Sequence, residues 1–120
     1  MKFLHLRERP RPLIQENQSL RHLNTFGLAS QASQLLPIGR ENDLATHAAT
    51  IQESPCLILG GGSNLILPPV LDKLVLYNQI KGVEIKQRTH DTVVLEVGGG
   101  MNWHEFVIWT LSRGYGGLEN

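Results

Sequence analysis

The 120-residue chain predicts an α+β fold in which short strands combine with two helices. Three observations carry this. Short apolar runs bounded by glycine and proline recur at residues 34–38, 56–59, 65–67 and 74–77. A period of two runs through residues 80–86 and suits a half-exposed strand. A helical period marks residues 42–52 and the stretch that opens at Asn102.

In chain order, residues 1–19 read as an irregular arm. They are rich in Arg, Pro and Gln, sustain no period, and contain Pro10 and Pro12, which exclude a helix interior. Residues 20–29 read as a loop. Asn24 and Thr25 hydrogen-bond locally there, Gly27 permits a turn, and Phe26 is the one buried aromatic. Residues 34–38 form a brief strand that Pro37 ends.

The first helix is expected over residues 42–52. Leu44, His47, Ala48 and Ile51 make its apolar face, Asn42 its N-cap, and Asp43 faces the positive end of its dipole. His47 is read as a packed or rim imidazole. Ser54-Pro55 stops the helix. Residues 56–59 are apolar throughout, as in a strand buried on both faces. Residues 65–67 and 74–77 read as two more short strands, parted by Pro68-Pro69.

Residues 80–86 and 92–97 pair as a hairpin across a polar turn at 88–91. A second glycine turn, Gly98-Gly99-Gly100, leads to the second helix. Asn102 and Glu105 stand at capping-box spacing. Trp103, Phe106, Val107, Thr110 and Leu111 form the expected buried stripe, with Trp109 off it, and Gly114 takes the C′ position. His104 is read as an ordinary surface imidazole.

The chemistry centres on Leu59-Gly60-Gly61-Gly62-Ser63-Asn64-Leu65. Without a Cβ at the three glycines, the backbone can take positive φ and admit another group close to its amides. Successive N–H groups in such a turn form an anion-binding hollow, and the Ser63 hydroxyl adds a donor. Phosphate or pyrophosphate suits that hollow. Most glycine-rich turns hold nothing, however, and the nucleotide motifs that spacing can test do not fit. No Lys follows the glycines, no third glycine completes G-x-G-x-x-G, and the exit reads as strand. A phosphate here would be held between strands by backbone amides.

Composition narrows the classes. Eleven basic residues balance eleven acidic ones, against a nucleic-acid binder, and 6% aromatic content supplies few stacking platforms. A 41% hydrophobic share suffices for one small domain with a core. The single cysteine, Cys56, excludes an intrachain disulfide and a cysteine metal cluster; its apolar surroundings predict a buried, reduced thiol. No metal site is expected. No apolar run reaches the roughly 18 residues of a membrane span, and no h-region follows the basic N-terminus. A cytoplasmic location without membrane contact is the expectation.

Five segments in register resemble the N-terminal third of the UDP-N-acetylenolpyruvoylglucosamine reductase family of peptidoglycan synthesis. They are Asn24-Thr25-Phe26-Gly27, then residues 57–64, then Ile80-Lys81-Gly82-Val83-Glu84-Ile85. Val97-Gly98-Gly99-Gly100-Met101-Asn102-Trp103-His104 and residues 114–120 complete the set. The resemblance covers about residues 23–120; the arm before it has no counterpart.

This resemblance implies the first subdomain of a flavin-binding domain of the vanillyl-alcohol-oxidase (PCMH) type, over residues 20–120, with FAD as cofactor. It implies that Gly60, Gly61, Gly62, Ser63, Asn64 and Leu65 wrap the FAD pyrophosphate, with Asn24 and Thr25 near the flavin. The family's reaction uses NADPH to reduce FAD, which passes hydride to the enolpyruvyl group of a UDP-sugar; an enzyme acid supplies the proton. The family's next flavin motif, its substrate domain and its catalytic serine, glutamate and arginine have no match in this chain. No residue here therefore receives a catalytic role, and the chain alone is expected to be inactive. The complete protein is expected to be a monomer, whereas an uncovered flavin-facing surface predicts self-association of this portion. Two other classes remain open on the residues: part of another FAD-linked oxidase of the same fold, and a non-catalytic nucleotide-phosphate binding module.

Overall fold

Three parallel strands and one antiparallel edge strand form the main sheet of the computed structural model, which describes residues 12–119. The strands are β1 (Gln15–Ser19), β2 (Gln31–Ile38), β3 (Cys56–Leu59) and β4 (Val70–Asn78), in spatial order β1-β2-β4-β3. A separate two-stranded sheet pairs β5 (Val83–Arg88) with β6 (Val93–Val97). The helices are α1 (Glu41–Thr46), α2 (Ala48–Glu53) and α3 (Trp103–Ser112).

Register and alternation set the two faces of the main sheet. Leu35 lies opposite Val75 and Leu57 opposite the same residue from the other side, while Leu36 and Ile58 both pair with Leu76. Successive side chains point to opposite faces. Leu20, Ala32, Leu35, Leu59, Leu67, Leu71 and Val75 therefore form one buried cluster, with Leu65 packed against it. Leu36, Ile38, Leu74 and Leu76 form the other, covered in part by Ile51 of α2. The chain leaves β2 across the second face and leaves β3 across the first. The carboxyl ends of β2, β3 and β4 lie along one edge, where Leu59 pairs with Tyr77 and Ile38 with Asn78. In an open parallel sheet, the crevice at such a change of direction is where ligands bind.

The α+β class and the hairpin are as expected, and the other differences have physical reasons. Residues 15–19, expected to be irregular, are an edge strand antiparallel to β2, so backbone pairing overrides a sequence with little strand signal. The rest of the arm through residue 11 lies outside the described residues. β2 runs through Pro37 instead of ending there. Pairing with β1 stops at Leu35, so beyond it β2 is an edge on that side, where proline is tolerated. Residues 65–67 are not a strand but an extended cover over the first face, with Leu67 buried. β3 is an edge strand, and Ile58 is 69% exposed rather than buried. Cys56 is a free thiol but only partly buried, its Sγ donating to the Ile51 and Ser54 carbonyls.

The first helix divides at His47 into α1 and α2. Asn42 lies inside α1; the cap is Arg40, and Asp43 is the buried residue while Leu44 is exposed. The Asp43 carboxylate accepts from the Gly39 and Arg40 amides at 2.9 and 3.1 Å and from Arg40 Nε at 3.2 Å. His47 sits at the rim, its Nε2 2.8 Å from the Pro12 carbonyl. Phe26 is exposed, since its loop turns it away from the sheet.

In α3 the Asn102 side chain accepts from the Glu105 amide at 3.0 Å, as the spacing predicts. Gly114 ends the helix at φ +73°, with the Tyr115 amide donating to Thr110 O and the Gly114 amide to Leu111 O. This is the Schellman pattern. Of the expected stripe, Phe106 and Thr110 are buried, and they line a hollow of about 350 Å³ with Val93, Leu95 and Val97 of the hairpin. Trp103 and Leu111 are exposed, because a two-stranded sheet covers only a narrow strip of a helix. Trp109 is partly buried and stacks under the Arg113 guanidinium, 3.9 Å from the ring centroid.

Candidate functional site

The glycine loop begins where β3 ends, at the carboxyl edge of the parallel strands. Leu59 is anchored in the core, and the chain then turns through Gly60, Gly61, Gly62, Ser63 and Asn64 before Leu65 returns to the first face. Gly62 takes φ +65°, the left-handed region that favours glycine. A Cβ there would lie 2.0 Å from the Leu23 carbonyl oxygen and 2.9 Å from the Asn24 Cα. The glycine is therefore required by the neighbouring loop as well as by its own dihedral.

That neighbouring loop contains the other two expected site residues. The Thr25 amide donates to the Gly62 carbonyl at 3.0 Å, so tertiary structure brings residues 24–25 against residues 60–65. Asn24 is buried, and its side chain is engaged within its own loop. Its Nδ2 donates to the Leu20 and Leu28 carbonyls at 2.8 and 3.2 Å, and its Oδ1 accepts from the Leu28 amide at 2.9 Å. Both donors of the amide are spent. Asn24 holds the loop in shape; the Thr25 side chain beside it is exposed.

The loop itself is rich in free donors. The amides of Gly61, Gly62, Ser63 and Asn64 have no acceptor among the described residues. The Ser63 and Asn64 side chains are exposed, and the segment carries no charged group. A Cβ built on Gly61 would meet nothing within 4 Å, so open space lies over the middle of the loop. Consecutive unpartnered N–H groups beside open space can hold an anion through backbone dipoles alone.

A third loop, which sequence reasoning leaves as an unassigned turn, backs this arrangement. A Cβ at Gly60 would lie 3.5 Å from the Gly99 carbonyl oxygen. The turn at residues 98–100 is itself pressed against the end of β4. A Cβ at Gly98 would lie 2.3 Å from Ile80 O, and one at Gly100 would lie 2.6 Å from Asn78 O. Three consecutive glycines were the available signal; what they approach depends on chain that is distant in sequence. Among the described residues there is no group of three or more His, Cys, Asp or Glu side chains placed to hold a metal. No helix there is long and apolar enough to cross a membrane.

Known proteins resemble the chain in sequence and in fold. No family model matches it. UDP-N-acetylenolpyruvoylglucosamine reductase of Flavobacterium johnsoniae is 40% identical over 107 residues, which cover 89% of this chain and 32% of that protein. The reductase of the same name from Psychrobacter sp. is 43% identical over 105 residues, covering 86% of this chain and 27% of the relative. The crystal structure of UDP-N-acetylenolpyruvylglucosamine reductase from Thermus caldophilus superposes with a TM-score of 0.61 at 24% identity. That superposition covers 90% of this chain and 36% of the other, and it shows the fold. The chain thus spans about a third of the length of the curated relatives it matches, and the likeness fits their N-terminal part.

Proposed function

We propose that this chain, akin in sequence to the UDP-N-acetylenolpyruvoylglucosamine reductases, is the FAD-binding first portion of such a reductase. The observation that carries the reading is the set of free amides at Gly61, Gly62, Ser63 and Asn64 beside the open space over Gly61. These groups fit a pyrophosphate, which offers several acceptor oxygens and needs close approach of the backbone. Ser63 Oγ is a further donor, and Leu65 anchors the exit of the loop in the core. Thr25 ties the neighbouring loop to Gly62, and Asn24 keeps that loop rigid.

Bound FAD would supply the redox chemistry, with NADPH as reductant and a UDP-sugar bearing an enolpyruvyl group as acceptor in the complete protein. This chain's residues would bind and orient the nucleotide part of the cofactor. They supply no proton donor to the reaction, so the portion alone turns over nothing. Exposed Ile58, Ile66 and Trp103 are apolar surface that the complete protein would cover, and they favour self-association of the portion in isolation.

Titration of FAD into the purified chain, followed by flavin fluorescence and thermal melting, tests the reading. Weak but saturable binding that raises the melting temperature is expected, since one wall of a site leaves much of the ligand in water. Gly61→Val should abolish it without unfolding the chain, since a Cβ at Gly61 touches nothing. Absence of FAD binding, or binding that Gly61→Val leaves intact, would overturn the assignment of the loop.

A further inference from the structure

Asn78 closes β4, the central strand whose two neighbours are β2 and β3. It pairs with Ile38 one residue beyond the point where Leu59 pairs with Tyr77, so it stands beside the start of the glycine loop. Its side chain is half-buried, and its Oδ1 accepts from the Ile80 amide at 3.1 Å. That bond turns the amide group toward the 98–100 turn. A Cβ on Gly99 would lie 2.5 Å from Asn78 Nδ2, so the amide occupies the space a side chain at 99 would need. The Gly99 carbonyl in turn lies 3.5 Å from the place of a Cβ on Gly60.

We propose that Asn78 is a positioning residue for the phosphate-binding loop: it seats the Gly99 turn, and that turn backs Gly60 at the loop's entrance. The proposal rests on the assignment of the 60–65 loop to the FAD pyrophosphate and adds to it a residue that touches no part of the ligand. The three groups lie close together: the Gly99 Cα faces the Asn78 amide, and the Gly60 Cα faces the Gly99 carbonyl. A loop that contacts ligand through its amides needs their placement held to within a fraction of an ångström. Leu59 and Leu65 fix where the loop starts and ends; Gly62 is fixed by Leu23 and Thr25. Gly60 has the Gly99 turn; backbone bonds from Gly98 to Gly82 and from Gly100 to Ile80 tie the ends of that turn, and Asn78 fills the space at its middle.

The test uses Asn78→Ala, with Asn78→Asp as the conservative variant that keeps an acceptor for the Ile80 amide and loses the Nδ2 donor. Amide resonances of residues 60–64 are recorded in the ligand-free chain by NMR, beside its melting temperature and its affinity for FAD. The expected result is displaced resonances for Gly60 and Gly61, a melting temperature nearly unchanged, and FAD affinity reduced about fivefold or more. A purely structural role would lower the melting temperature and leave those resonances in place. Gly99→Ala should reproduce the displacement in the parent chain. In the Asn78→Ala background, where the space is vacant, it should add little, a non-additivity expected of groups in contact. Unmoved Gly60 and Gly61 resonances in the Asn78 variants would overturn the proposal. Resonances that move in a chain that never binds FAD would uphold Asn78's hold on the loop and refute the FAD assignment instead.

Discussion

Thr25 donates its backbone N–H to the carbonyl of Gly62 at 3.0 Å, joining two loops that are far apart in sequence. At the same place the Gly62 Cα faces the Leu23 carbonyl so closely that no side chain fits. The contact holds the glycine loop from its outer side, while Leu59 and Leu65 hold it from the core. It leaves the Gly62 amide free, because the carbonyl, not the N–H, takes part.

Gly62→Ala is therefore expected to destabilise the chain by about 3 kcal/mol or more, combining a left-handed dihedral with a backbone clash. Urea denaturation measures it. A loss under about 1 kcal/mol would mean that the 23–25 loop yields easily and does not brace the site. The contrast with Gly61→Val, expected to fold normally, separates the glycine the fold requires from the one that only the proposed phosphate site would require.

Asp43 gives the fold an acid-sensitive clamp. Burial pushes its carboxyl up, but the Gly39 amide and the Arg40 guanidinium and amide together outweigh this and hold it below its ordinary value. With the folded value depressed, the stabilisation is complete above the unfolded value of about 3.9 and is lost as pH falls through the lower folded value. Asp43→Ala should cost about 1–2 kcal/mol at neutral pH. The gap to the parent should close in denaturant melts as pH falls below about 4, where the unfolded carboxyl takes up its proton. A gap independent of pH would show that the side chain acts by packing alone.

Gly114→Ala isolates the end of α3. A Cβ there meets no atom within 4 Å, so the cost is the left-handed backbone alone, about 1 kcal/mol. Thermal melts that show no loss would mean that the Schellman turn contributes nothing to holding Tyr115 and the following loop.

Local patterns were legible where local forces decide. The 80–97 hairpin follows from alternation and a polar turn, the Asn102 cap from its spacing to Glu105, and the end of α3 from Gly114. Each depends on residues within a few positions of one another. A turn at residues 60–64 was likewise foreseeable, because a run of glycines followed by Ser63-Asn64 favours a turn over a continued strand. Residues 15–19 failed this test, for their strand exists only because β2 offers an edge to pair with.

Signals between near neighbours in the chain thus set the class of the fold, the pairing of the hairpin and both ends of α3. Only the tertiary structure decided that Asn24 is a brace with both donors spent, that Phe26 faces outward, and that Ile58 lies on an edge strand. It alone brought Leu23, Gly62, Gly99 and Asn78 to one end of the sheet. The reason is the range of the forces. Turn and cap preferences act between neighbours in the chain, whereas burial and close backbone approach depend on which strand lies beside which, and strand order is a property of the whole fold.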